Sequence, residues 1–326
     1  MKKLLITMGD PGGVGPEIIV KALGARGITK SCVPIVIGNS RIMSKALRLL
    51  GDSRKLREIP SPKEAENNVR LIDIINIKHR DLSPLLHNKP TAAGGEACVS
   101  YVEKAVELLM RNQANAIVTA PISKEALKMA GFWWPGHTEM LAELSRTKQF
   151  AMMLVGGPLR VILVTIHTAL KNVPGLITRQ RILKVIRLAK QACNMLKIRS
   201  SKIGVAGLNP HAGEAGIFGD EEITQIIPAI RQAQREKIPV SGPYPPDTLF
   251  HKAYQGEIDI VVCMYHDQGL IPLKMIAFDK GVNVTVGLPF VRTSPDHGTA
   301  YDIAWKGVAN PSSMIEAINL AVKLRV

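Results

Sequence analysis

Three histidines stand just past the carboxyl ends of apolar runs. His167 closes VILVTIH, His211 follows IGVAGLNP, and His266 closes DIVVCMYH. Imidazole is a common ligand for zinc and similar divalent ions. Three protein donors with one open position is the arrangement of catalytic metal sites. No local spacing ties the three together, so each also reads as a histidine hydrogen-bonded at a strand end. Their shared position argues for chemistry, because the carboxyl edge of the strands is where α/β enzymes bind ligands.

A second set of polar residues is crowded into apolar surroundings. Lys274, Asn283 and Arg292 sit beside Pro272-Leu273, Val282 and Phe290-Val291, and the sequence predicts that successive loops present them. Cations in such surroundings need anionic partners, since unpaired burial is costly. A phosphate or carboxylate would serve, and Arg292 can grip either with two parallel hydrogen bonds. Internal pairing with Asp279 or Asp296 is the other reading. His137 and Thr138 follow Trp134-Pro135-Gly136 at a predicted helix start, where Thr138 would cap and His137 would meet an anion. Asp247, in PPDTLF, reads as a helix N-cap, with proton acceptor as the alternative. The glycine-rich GDPGGVGPE, residues 9–17, is either a tight turn or a ligand loop. It is not GxGxxG, and its prolines remove donors. His79, His87 and His251 have no comparable context and read as surface residues.

The elements that must position these groups alternate along the chain. Strands are predicted at 4–8, 33–37, 71–75, 116–118, 203–206, 258–264 and 282–286. Helices are predicted from residue 16, at 40–50, 94–109, 123–130, 179–195, 221–235, 299–305 and 312–324. This alternation means an α/β fold with a largely parallel sheet. Runs 150–155 and 161–165, parted by Gly156-Gly157-Pro158, read as a hairpin, hence an antiparallel element. A domain change is expected near Gly131, with a return near Lys274.

Composition is ordinary for a soluble globular protein. The 326 residues are 46% hydrophobic and 21% charged, enough chain to bury a sizeable core in one or two domains. The four cysteines lack CxxC spacing and read as reduced core residues. MKKLLITMGD starts like a signal peptide, but its apolar segment is too short and Gly-Asp-Pro follows, so it reads as a first strand. A cytoplasmic protein with no membrane segment is expected. The net charge of +15 raises nucleic acid as a partner. Its clearest expression, Arg181, Lys184, Arg187 and Lys190, reads better as the solvated face of an amphipathic helix, and no RNA-binding motif accompanies it.

With these residues in view, the chain closely resembles the 4-hydroxythreonine-4-phosphate dehydrogenases of pyridoxal phosphate biosynthesis. The resemblance is carried by GDPGGVGPE, TAPISKEAL, PGHTEML, LNPHAGEAGIFGDEE, PPDTLF, MYHDQGLIPLK and GVNVTVGLPFVRTSPDHGTAYDIA, which span nearly the full length. The closing DHGTAYDIAWKGVANP is also similar to a loop of isocitrate and isopropylmalate dehydrogenases. That wider family implies two α/β/α domains and NAD or NADP binding without GxGxxG. The domains would be 1–130 plus 275–326 on the cofactor side, and 131–274 for metal binding and dimerisation.

The resemblance further implies that His167, His211 and His266 bind a divalent metal (zinc, magnesium or cobalt), with ligands drawn from both subunits of a homodimer. His137, Thr138, Lys274, Asn283 and Arg292 would hold a phosphorylated substrate. His297, Gly298, Thr299 and Ala300 would lie against the adenosine end of the cofactor. Lys274 and Asp247 are the candidates for the catalytic base. Trp305 replaces the small residue usual before Lys-Gly, and Gly12-Gly13 stands where Ala-Gly is commoner. The implied reaction oxidises 4-phosphohydroxy-L-threonine to a β-keto acid that loses CO₂. A threonate or erythronate phosphate, or a diol acid, is the alternative substrate.

Overall fold

A computed structural model describes residues 1–78 and 88–326; His79 and His87 lie outside them. Two compact units form: Met1–Lys148 with Leu288–Lys323, and Gln149–Gly287 with Leu324–Val326.

The first unit is built on β1 (Lys2–Thr7), β2 (Cys32–Gly38), β3 (Lys55–Glu58), β4 (Leu71–Asn76), β5 (Ala116–Thr119) and, from the far end of the chain, β12 (Val291–Pro295). Their order is β3-β4-β2-β1-β5-β12, and every pairing is parallel. Leu4, Leu5, Ile6 and Thr7 of central β1 are all fully buried. A strand covered on both faces reads as a continuous apolar run, which is why LLIT shows no alternation. β12 differs. VRTSP is buried throughout, yet three of its residues are polar, and Thr293 Oγ1 donates to Ala317 O at 2.8 Å.

The second unit contains β6 (Ala151–Gly156), β7 (Leu159–Leu163), β8 (Ile203–Ala206), β9 (Val240–Tyr244), β10 (Ile260–Cys263) and β11 (Val282–Val286), ordered β11-β6-β7-β10-β8-β9. β6 runs antiparallel to both β7 and β11, so the predicted hairpin forms. β7, β10, β8 and β9 are parallel neighbours. The fold is α/β, with a largely parallel set of strands and one antiparallel element. Its core is aliphatic: Leu154, Val161, Leu163, Leu249, Val261 and Leu273 pack together.

The basic helix Arg179–Met195 buries Ile182, Val185, Ile186 and Ala189. Its cations are engaged locally: Arg187 pairs with Glu236 at 2.6 Å, Lys190 donates to Ser201, and Lys184 lies over Phe150. All four cysteines are free and buried. No helix among the described residues is long and apolar enough to cross a membrane.

Three expectations are corrected. Residues 299–305 form turns instead of a helix, because Ala300 and Trp305 take positive φ and the loop's polar groups bond elsewhere. A helix, His266–Ala277, forms where loops were expected, despite Gly269 and Pro272. Lys274 therefore stands on a helix, Asn283 on β11 and Arg292 on β12. Finally, Thr138 and Asp247 are not caps. Gly136 and Pro245 occupy the cap positions, and neither helix has a side-chain cap.

Candidate active site

In the second unit β10 lies between β7 and β8, all parallel, so the loops after all three strands emerge at one edge. Those loops carry His167, His266 and His211. The rings of His167 and His266 lie 5.6 Å apart, inclined at 43°. Both line a 240 Å³ cavity with Ile166, Thr168, Tyr265 and Asp267. His266 opens its helix, and its Nδ1 is 2.7 Å from the exposed Asp267 carboxylate. A carboxylate on Nδ1 orients the ring and leaves Nε2 for a ligand.

His211 is not brought to them. Among the described residues no group of three or more His, Cys, Asp or Glu side chains is gathered to hold a metal. His211 stands 6.1 Å from the Phe218 ring and begins a left-handed run, with φ of 52°, 54°, 81°, 39° and 55° from His211 to Ala215. For residues other than glycine such backbone costs about 1–2 kcal/mol each, and strain of this kind collects at functional sites. The run is held from behind by Glu222, only 2% exposed. Its carboxylate accepts from Leu208 N at 2.7 Å, Asn209 N at 2.8 Å and Asn209 Nδ2 at 2.9 Å. Sequence reasoning missed Glu222; the only signal was a run of three acidic residues, Asp220-Glu221-Glu222, directly after a glycine-rich loop.

Lys274, on the His266 helix, is half-buried, with Nζ 5.7 Å from the Phe278 ring centroid. Asn283 is half-buried opposite Leu154. Asp247 is exposed in the first turn of its helix and accepts from Thr248 N at 3.0 Å.

The remaining expected ligand residues lie in the first unit. His137 and Thr138 open the helix His137–Leu144. The His137 Nε2 atom is buried with no partner among the described residues. Burial, then the nearby Arg292 charge, hold its imidazole well below the usual histidine range. Arg292 is 2% exposed and donates to Thr119 Oγ1 from Nη2 at 2.9 Å and Nε at 3.3 Å. Burial pushes its guanidinium down to about 9, against the pull of Glu139. A neutral imidazole with an idle nitrogen, a desolvated guanidinium and a helix N-terminus form an environment suited to an anion.

The loop with His297, Gly298, Thr299 and Ala300 is fastened to the GDPGGVGPE turn. Val14 N donates to Thr299 O at 2.9 Å. Buried Asp10 accepts from Tyr301 OH at 2.6 Å and Gly12 N at 2.8 Å. Burial raises its carboxyl pKa, and those two bonds pull it back. Trp305 Nε1 donates to Pro11 O at 3.0 Å, its backbone N–H donates to the buried Glu17 carboxylate, and Lys45 lies over its ring. The turn thus anchors the loop. His297 itself is exposed, with Nδ1 3.0 Å from Gly298 O.

The family model described as pyridoxal phosphate biosynthetic protein PdxA matches residues 30–321. A 4-hydroxythreonine-4-phosphate dehydrogenase of Trichlorobacter lovleyi is 48% identical, covering 99% of this chain and 97% of the relative. A D-threonate 4-phosphate dehydrogenase of Pectobacterium atrosepticum is 44% identical, covering 99% of both. The crystal structure of 4-hydroxythreonine-4-phosphate dehydrogenase from Klebsiella pneumoniae matches with TM-score 0.92 and 41% identity over 99% of this chain and 100% of that one. A β-decarboxylating dehydrogenase of Thermococcus kodakarensis, 16% identical at TM-score 0.52 over 100% of this chain and 85% of that one, shares the fold.

Proposed function

The chain belongs to the family of the pyridoxal phosphate biosynthetic protein PdxA, and from that membership we propose that it oxidises 4-phosphohydroxy-L-threonine with NAD or NADP and a divalent metal. The β-keto acid so formed decarboxylates to 3-amino-2-oxopropyl phosphate. The observation that carries this is 48% identity over nearly the whole chain to a 4-hydroxythreonine-4-phosphate dehydrogenase.

The donor chemistry fits a divalent ion in part. One chain supplies two imidazoles at one cavity, His167 and His266, one short of a three-ligand catalytic site. His211 of a second copy is the third donor in our reading. Exposed apolar side chains beside both ligand loops support a homodimer. Ile271 and Met275 stand 60% and 83% exposed along the His266 helix, Phe278 stands 76% exposed just past its end, and Ile217, Phe218 and Ile223 flank the His211 loop. Such faces mark protein interfaces. The second unit would thus carry the metal and the dimer contact, and the first the cofactor.

When bound, the metal supplies Lewis acidity toward the substrate hydroxyl and the charge left on CO₂ loss, and the nicotinamide supplies the hydride acceptor. The chain supplies position. Arg292, His137 and Thr138 hold the phosphate, with Lys274 and Asn283 completing the substrate contacts. Lys274 lies two turns along the helix that His266 opens, which favours it over exposed Asp247 as the group that takes the hydroxyl proton. The protein would work in the cytoplasm.

The identity to a D-threonate 4-phosphate dehydrogenase supports a second reading with that substrate. A panel of 4-phosphohydroxy-L-threonine, D-threonate 4-phosphate, D-erythronate 4-phosphate and an unphosphorylated diol, run with NAD and NADP with and without chelator, separates them. Chelator-sensitive turnover of the first substrate is expected. Preference for a threonate phosphate, or turnover indifferent to chelator, overturns the proposal.

A further inference from the structure

Past their last paired residues, Val262 and Val205, strands β10 and β8 lead into two ligand-bearing loops with no further rung of the ladder between them. The Gln268 side chain lies there. It is 7% exposed. Its Oε1 accepts from Met264 N at 2.7 Å, and its Nε2 donates to Gly207 O at 2.7 Å. One amide thus replaces a backbone rung. Met264 lies two residues before His266, and Gly207 four before His211. The other side of Met264 is also gripped: its carbonyl accepts from Thr165 Oγ1 at 2.7 Å and Thr165 N at 3.2 Å, two residues before His167. Beyond Gly207, Glu222 takes over the next two amides. The backbone of all three histidine loops is therefore joined through Met264 and Gln268.

We propose that Gln268 is a positioning residue for metal binding: it fixes the His266 loop at its own chain's site and the His211 loop that this chain lends to the partner's site. This rests on the metal reading given above. Only a primary amide satisfies both neighbours. A carboxylate would face the Gly207 carbonyl with a second acceptor. An aliphatic side chain would leave a buried donor and a buried acceptor unmet, each a costly loss. Groups that orient metal ligands typically govern affinity by about 10–100-fold when replaced.

The test is titration calorimetry of Co²⁺ into the chelator-stripped full-length protein and its Gln268→Leu, Gln268→Glu and Gln268→Asn variants. Melting is recorded with and without Co²⁺. Gln268→Asn retains the amide but is one methylene too short to span both partners, and it serves if Gln268→Leu fails to fold. An apparent Kd raised at least tenfold, with a smaller metal-induced rise in Tm, is expected. A purely structural role would lower Tm with and without metal alike and leave the Kd unchanged; variants within twofold of the parent overturn the proposal. Parent protein that takes up no Co²⁺, or whose affinity survives His266→Ala, overturns the metal reading itself, and the brace with it.

Discussion

Replacing Arg292 by Met separates what the guanidinium costs the fold from what it contributes to ligand binding. Arg292 is 2% exposed, and burial pushes its pKa from the ordinary arginine value down to about 9. At about 1.4 kcal/mol per tenfold, keeping that charge costs the free chain on the order of 4–5 kcal/mol. Hydrogen bonds, those to Thr119 among them, return on the order of 1 kcal/mol each. Met fills most of the same space without a charge, so Arg292→Met should be more stable by about 1–3 kcal/mol. For a chain of this size that is roughly 1.5–4.5 °C in Tm. Scanning calorimetry in phosphate-free buffer reads this directly. Inorganic phosphate should then raise the melting temperature of the parent protein and leave Arg292→Met unmoved. A variant that melts below its parent without phosphate, and still gains stability when phosphate is added, would refute both halves of the reasoning.

Two further outcomes follow from the same unit. Folded His137 is kept neutral by burial and by Arg292, with Glu139 the nearby anion, whereas the unfolded chain protonates it near 6.5. The unfolded state then binds the extra proton below that pH, so stability falls as pH drops through about 6.5; metal-free His137→Asn should show a flatter pH dependence of Tm. A Cβ on Gly13 would meet Thr299 O at 2.9 Å and Thr299 Cβ at 3.0 Å, against the loop proposed to hold the cofactor. Gly13→Ala should cost about 1–3 kcal/mol by overpacking and raise the KM for NAD more than it lowers kcat; an unchanged KM would place the cofactor elsewhere.

Much of the fold is legible wherever burial writes itself in apolar residues. The helix Arg179–Met195 and the strands Ile203–Ala206 and Val282–Val286 carry the bounds their patterns imply. Elements held by polar pairing are hidden. β3, KLRE, is an exposed edge whose Arg57 is fixed by Asp73 at 2.7 Å. β12 buries an arginine, a threonine and a serine that only tertiary partners explain. The helix His266–Ala277 carries Gly269 and Pro272, which read as breakers, yet its packing against β6, β7 and β10 overrides them. Strand-end position made the three histidines visible. Gln268 was invisible because its partners are main-chain atoms, which leave no trace in side-chain patterns, and Glu222, which bonds two amides and the Asn209 side chain, showed only as part of an acidic run.

The route of the chain through β12 has a consequence for synthesis. The six strands of the second unit come from one continuous stretch, 149–287, so all can pair as soon as that stretch has left the ribosome. The sheet of the first unit starts earlier and finishes later. β5 must wait for β12 to pair along Val291↔Ala116, and the helix Ser312–Lys323 packs on both only after that. Until then one edge of β5 stays open, with its backbone groups unpaired, the kind of edge that recruits foreign strands. The sheet begun first on the ribosome is therefore the last to be completed, and the interval in which a nascent chain most needs a chaperone spans the making of the whole stretch 149–287.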